Sequence, residues 1–245
     1  MHTVTVNGRE FNPYALSCME EEAAKGEGSV CYSVARHGMT KDHHPGVWGN
    51  LHSPIMFVGL NPHSDSTIDS RSVGEEKCHR EPTFFILHQN ILNRVSREYG
   101  LLDKPLRRKY DTVESDLVIC SNPNESDVSH KVRTACGEKF LLPAIEAIQP
   151  KVIIGLGRFV VGWFCWKFSL VGFQDKISRE VGKHWSLPLG KYQPVFVASS
   201  HPNWRRFGPL KEVVQVIVDN CRPDDFLRAR ENPLYFYSPA PSDQA

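Results

Sequence analysis

The sequence predicts an α/β fold, a three-layer α/β/α arrangement around a central, mainly parallel four-stranded sheet, and two observations carry that reading. Strand-like runs near 55–60, 117–120, 151–156 and 194–198 alternate with helix-like segments near 84–98, 128–149, 157–168 and 209–221, which is the order of successive βαβ units. The runs Lys151-Val152-Ile153-Ile154-Gly155-Leu156 and Val195-Phe196-Val197-Ala198 are apolar and β-branched without alternation, as strands covered on both faces are.

Each element follows from local pattern. Residues 1–53 contain Gly-rich and His-rich stretches and read as an irregular N-terminal segment with one weak helix around Tyr14 to Lys25. Ile55-Met56-Phe57-Val58-Gly59-Leu60 is the first buried strand, and Pro82-Thr83-Phe84-Phe85 opens the helix after it. Asp116-Leu117-Val118-Ile119 is the second strand. In the following helix Val132, Cys136, Phe140 and Leu141 fall at helical spacing, with Ser126 or Asp127 available as N-cap and Pro150 closing it. The tail, rich in proline and charge from Arg222 onward, reads as an extended segment over 223–245. No internal repeat is visible, and 1–245 reads as a single domain.

Composition bounds the function. With 40% hydrophobic and 23% charged residues the chain can bury one core. No apolar stretch approaches the ~20 residues of a membrane helix, and no signal-peptide pattern opens the chain, so a soluble, intracellular protein is expected. Seven scattered cysteines, an odd number, do not form the framework of a small secreted domain; metal ligands or buried thiols are the alternatives. A net charge of +1 is neutral on nucleic-acid binding, because a local basic face suffices. Three basic clusters stand out: Lys104, Arg107, Arg108 and Lys109; Lys131 and Arg133; and Arg205 with Arg206 beside Trp204. The first two read equally well as solvated surface charge, whereas the third follows a His-Pro pair and includes an aromatic.

Three of the strands deliver polar residues to one sheet edge: Asn61-Pro62, Cys120-Ser121-Asn122 and Ser199-Ser200-His201-Pro202. Open α/β sheets bind ligands at the carboxyl ends of their strands. Asn61, fixed between a buried strand and a proline, can orient a water but is a poor base. His201 can supply a hydrogen-bond donor to developing negative charge.

The combination of Gly59-Leu60-Asn61-Pro62, Ser199-Ser200-His201-Pro202 and Cys120-x15-Cys136 resembles the uracil-DNA glycosylase superfamily. The iron-sulfur, thermophile-type branch is the nearest, because Gln149-Pro150-Lys151-Val152-Ile153-Ile154-Gly155-Leu156-Gly157 resembles its KPKVIVALG stretch; the match is good over 116–160. The resemblance implies a monofunctional DNA glycosylase of base-excision repair, acting as a monomer on DNA in the cytoplasm, at the nucleoid. It assigns the attacking water to Asn61 and the leaving base anion to His201, which would act at the base O2. Phe84 or Phe85 would stack on the flipped base. Beyond His201, Asn203 stands where the family usually has serine, while Trp204, Arg205 and Arg206 offer a stacking plane and phosphate contacts.

Asp116 occupies the position of the asparagine that reads the pyrimidine edge. An ionised carboxylate accepts from N3–H but cannot donate to O4, so Asp116 must be protonated to read uracil well; otherwise Asn122 or Asn124 takes over, or another deaminated base is favoured. Cys18, Cys31, Cys120 and Cys136 correspond to the ligands of a structural 4Fe–4S cluster. The family's first two ligands sit close together, whereas twelve residues separate Cys18 from Cys31, so an insertion must loop out.

Two other readings compete. Gly155-Leu156-Gly157-Arg158-Phe159-Val160 imitates a dinucleotide-binding turn and suggests an oxidoreductase, although bulky Val160 fills the third position. A nucleic-acid-binding module on the same fold without excision is the non-enzymatic alternative. His37, His43, His44 and His52 lack metal-ligand spacing and read as solvated loop histidines.

Overall fold

The computed structural model describes residues 3–13, 16–31, 46–60, 82–119, 128–173, 176–201 and 210–236. A hairpin of β1 (Val4–Val6) and β2 (Arg9–Phe11) precedes α1 (Leu16–Ala24). There follow β3 (Val47–Asn50), β4 (Ile55–Gly59), α2 (Pro82–Glu98), α3 (Arg108–Asp111) and β5 (Val113–Asp116). Next come α4 (His130–Cys136), a π-helical turn (Gly137–Leu141), α5 (Leu142–Ile148), β6 (Val152–Leu156) and α6 (Arg158–Lys167). The chain continues through α7 (Ile177–Glu180), β7 (His184–Ser186), β8 (Val195–Ser199), α8 (Leu210–Asn220), α9 (Pro223–Glu231) and β9 (Tyr235–Phe236).

Among the described residues the central sheet has seven strands in the order β7-β8-β6-β4-β5-β3-β9. The inner four, β8, β6, β4 and β5, are mutually parallel. The four-stranded expectation is therefore corrected outward: β7 on one side, and β3 and β9 on the other, add antiparallel edges. These strands are two to four residues long, too short to leave a period-two pattern in the sequence.

Alternation along the inner strands divides the core into two layers. Met56, Val58, Ile153, Phe196 and Ala198 pack with the α4–α5 run and α6, where the Phe164 ring stacks on Phe196 at 4.3 Å. Ile55, Phe57, Val152, Ile154 and Val197 pack on the opposite face with α2, α8 and Phe226. Each such side chain contributes roughly 1.5–3 kcal/mol by leaving water.

Four local expectations change. The second strand begins earlier, at Val113–Asp116, and Leu117 and Val118 extend it by donating to the Gly59 and Leu60 carbonyls at 2.9 and 2.8 Å. Ser129, not Ser126 or Asp127, caps α4, its hydroxyl accepting from the Val132 amide at 3.3 Å. Residues expected to be an extended tail form α9, where Pro223 takes an early helical position that needs no N–H, and then β9. The N-terminal segment holds a hairpin and β3 besides its helix; the Asn7 amide anchors the hairpin turn to the Ile148 carbonyl at 2.7 Å.

The shift of β5 has an electrostatic cause. Glu114 is buried in mid-strand and accepts both guanidinium donors of Arg108, the Trp48 indole N–H at 2.7 Å and His88 Nδ1 at 3.1 Å. His88 stacks on Phe57 with ring centroids 3.9 Å apart. Burial pushes the Glu114 carboxyl up, but Arg108 and then His88 outweigh it and hold the group at about 2. Burial lowers His88, by more than Glu114 raises it. Both groups bind protons more readily in the unfolded chain, so both remove stability on acidification. His88 acts as pH falls below about 6.5, and Glu114 acts from about 4.5 down towards 2. Unfolding in urea across pH 7 to 4 should show a midpoint that falls with pH. Glu114→Gln should cost about 3–5 kcal/mol at pH 7, the scale for stranding one partner of a buried ion pair.

Candidate active site

The four parallel strands end together, and their carboxyl edge gathers Gly59 and Leu60 from β4, Asp116 from β5, Gly157 after β6, and Ser199 to His201 from β8. Gly157 is the pivot of this edge. Its φ of 84° and ψ of 170° lie where essentially only glycine is found. Its amide donates to the Ser199 carbonyl at 3.0 Å, which ties the exit of β6 to the exit of β8. A Cβ on Gly157 would lie 3.2 Å from both Cβ and Cδ2 of His201. The half-buried histidine thus rests against a backbone that has no side chain to displace it. The sequence marked Gly157 as the end of the family-like Gln149–Gly157 stretch and as part of a misleading dinucleotide turn; its positive φ and its contact with His201 are tertiary facts.

Asp116 is likewise placed by a glycine. It is the register partner of Gly59, and its Oδ1 lies 2.2 Å from where a Gly59 Cβ would be. Asp116 is 7% exposed, and its carboxyl group folds over the first residue of the Gly59-Leu60-Asn61-Pro62 motif. Asp116 and His201 therefore both border the carboxyl edge, at β5 and β8, with β4 and β6 between them.

Of the cysteines, Cys31 and Cys136 are buried in the same core layer. The Ile119 amide donates to the Cys136 sulfur at 3.4 Å, so the residue next to Cys120 touches Cys136. Lys139 lies one turn beyond Cys136 and reaches Glu21 and Glu22 of α1 at 2.7 and 2.8 Å. Glu22 in turn accepts from Ser29 at 2.5 Å, and Ser29 Oγ accepts from the Cys31 amide at 3.1 Å. One chain of polar contacts thereby joins the helix bearing Cys18, the turn bearing Cys31 and the helix bearing Cys136. Among the described side chains no group of three or more metal-binding residues is complete.

Asn61, Cys120, Asn122, Asn124, Asn203, Trp204, Arg205 and Arg206 lie outside the described residues. Cys18 is on α1, and Phe84 and Phe85 are in the first turn of α2, but these three side chains also lie outside them. His52, expected to be a solvated loop histidine, is exposed, and its Nδ1 pairs with the Asn232 carbonyl at 2.6 Å.

No family model matches the chain. Three curated proteins do. A type-4 uracil-DNA glycosylase of Archaeoglobus fulgidus is 28% identical over 173 residues, covering 70% of this chain and 76% of that protein. The chain is similar to proteins named type-4 uracil-DNA glycosylase. The type-4 enzyme of Thermotoga maritima is 32% identical over 116 residues, 47% of this chain and 51% of its own length. That of Saccharolobus solfataricus is 24% identical over 184 residues, 75% of this chain and 73% of its own. The type-4 relationship is the one implied by the strand-end motifs and the Cys120–Cys136 spacing.

The Gly157 geometry gives a direct test. Gly157→Ala should cost about 1–3 kcal/mol in unfolding free energy, the scale of one residue forced into a glycine-only conformation. It should also move the His201 ring resonances in NMR spectra while leaving those of His88 in place. Unchanged His201 signals would mean that the glycine does not seat the ring.

Proposed function

We propose that the protein is a monofunctional uracil-DNA glycosylase that hydrolyses the N-glycosidic bond of a deaminated base, uracil first, in base-excision repair. The observation that carries this reading is the similarity to three proteins named type-4 uracil-DNA glycosylase, over up to 75% of the chain. In this reading the protein works as a monomer where its DNA substrate lies, inside the cell.

Cleavage of the glycosidic bond leaves negative charge on the departing pyrimidine and positive character on the sugar. His201, seated on Gly157 at the strand end, donates a hydrogen bond to the base oxygen where that charge accumulates. Preorganisation matters because a donor already in place needs no rearrangement as charge develops. Asn61 orients the water that captures the sugar, and no side chain in this set acts as a covalent nucleophile. Phe84 or Phe85 stacks on the extruded base. Asp116, folded over Gly59, faces the base edge and reads uracil in its protonated form; Asn122 is the other candidate reader. Asn203, Trp204, Arg205 and Arg206 engage the DNA strand beyond the base. The dinucleotide reading loses its support, since the space over Gly157 is accounted for by His201.

Cys18, Cys31, Cys120 and Cys136 would hold a 4Fe–4S cluster, which supplies a structural cross-link between the N-terminal segment and the α4 helix. Two features fit that group: Cys31 and Cys136 share one buried layer, and the Cys136 sulfur already accepts a backbone amide, as cluster sulfurs do. Anaerobically purified protein should be brown with stoichiometric iron and sulfide, and Cys136→Ser should lose both together with solubility. Colourless, iron-free wild-type protein of ordinary stability would contradict this.

The reaction itself is tested by base release from uracil-containing oligonucleotides under single-turnover conditions, followed by alkaline cleavage at abasic sites. Wild-type protein should excise uracil, and His201→Ala should slow the step by about 10²–10³-fold with little change in DNA affinity, the scale for removing one oxyanion-type donor. Binding without any release would instead favour the module that has lost excision.

A further inference from the structure

We propose that Arg133 and Arg158 form a clamp for a backbone phosphate of the DNA substrate, an inference that rests on the glycosylase reading and extends it to a second contact point. Arg158 is the first residue of α6 and directly follows Gly157, on which His201 rests. Arg133 lies within α4, the helix that packs beside α6. Both helices begin at the carboxyl edge of the sheet, so the two side chains come together on the face that carries His201.

They meet on one ring. The guanidinium carbon of Arg133 and that of Arg158 each lie 4.7 Å from the centroid of Phe159. Each cation is attracted by the electron-rich ring face, which sets the geometry even though like charges repel. Arg133 also donates to the Val128 carbonyl at 3.0 Å, so its head group is fixed in direction. Burial, and then the neighbouring Arg158 charge, pull Arg133 below the usual guanidinium value.

No carboxylate pairs with either arginine among the described residues. Several cations elsewhere in the protein are matched, as Arg9 is with Glu146, Arg108 with Glu114, Lys139 with Glu21, Lys151 with Asp225 and Arg230 with Asp111; what sets Arg133 and Arg158 apart is that they share one ring beside His201. Two guanidiniums held on one aromatic ring, with no carboxylate pair among the described residues, concentrate positive charge there; Arg133 spends one donor on the Val128 carbonyl and keeps the rest of its fork. Phosphate suits that arrangement, because its oxygens accept bidentate pairs and its charge offsets the mutual repulsion. The clamp carries no base information; it would hold the strand in register while His201 and its neighbours act on the flipped nucleotide.

The test is DNA affinity across a salt series for the full-length protein, with duplex and single-stranded oligonucleotides carrying one uracil. Arg133→Gln and Arg158→Gln should each weaken binding several-fold. Each should also flatten the log–log salt slope, and the double variant should flatten it by about 0.9 on duplex or about 0.7 on single strands, the loss of one phosphate contact. Arg97→Gln, an exposed cation in the last turn of α2, should keep the wild-type slope. A merely structural role would not move the slope, and Arg158 is exposed enough that its replacement leaves folding intact, which a melting curve checks. Wild-type slopes in both single variants would overturn the clamp while leaving the glycosylase reading in place. Loss of slope in the variants of a wild-type protein that binds DNA but releases no uracil would support the clamp and overturn the glycosylase reading.

Discussion

The arrangement turns on a single close approach, the His201 ring against the bare α-carbon of Gly157. It is possible only because β6 and β8 are parallel neighbours that end in step, and because the Gly157 amide closes the gap by bonding the Ser199 carbonyl. The sheet order, the apolar strands that fix it and the two helical layers that cover it all serve to hold that register. A side chain at Gly157 would have to displace either the backbone or the ring. Asp116 repeats the device on the other side of the edge, where Gly59 leaves room for its carboxyl group. Two glycines at two strand ends therefore decide where the polar groups of the edge can sit.

How far this was legible in the sequence depends on the residues. Strands β4, β6 and β8 declared themselves, because a strand buried on both faces has no polar position to confuse the pattern. Strand β5 did not: Glu114, Ser115 and Asp116 are buried polar residues, tolerated because Arg108, His88 and Trp48 satisfy the carboxylate and the Gly46 carbonyl takes the serine hydroxyl. A pattern that equates burial with apolarity places that strand three residues too late. Helix α9 was hidden by its charge; Lys151 and Arg228 neutralise Asp225, and only Phe226 and the small Ala229 are apolar residues buried from it, among the described residues. Gly157 was visible as a residue and misleading as a motif, since only the folded chain brings His201 to it.

The N-terminal segment illustrates how a weakly patterned region acquires a place. Its helix is short and carries three successive glutamates; Ala23 packs against the core, and Lys139 bridging Glu21 and Glu22 and Ser29 linking that cluster to the Cys31 amide help to place it. These contacts lie beside Cys136, at the layer where Cys31 is also buried. Exposed ion pairs of this kind are individually worth under about 1 kcal/mol, so they position the segment more than they stabilise it. The proposed four-thiolate cluster at Cys18, Cys31, Cys120 and Cys136 would add a covalent constraint to this segment.

The central claim is that Gly157 serves the reaction through His201, and a double-mutant cycle on single-turnover uracil release tests it directly. Coupled residues lose additivity, whereas independent ones keep it. If the account holds, Gly157→Ala slows release in the wild-type background but costs almost nothing further once His201 is alanine. Equal slowing by Gly157→Ala in both backgrounds would show that the glycine acts independently of the histidine and would contradict the account.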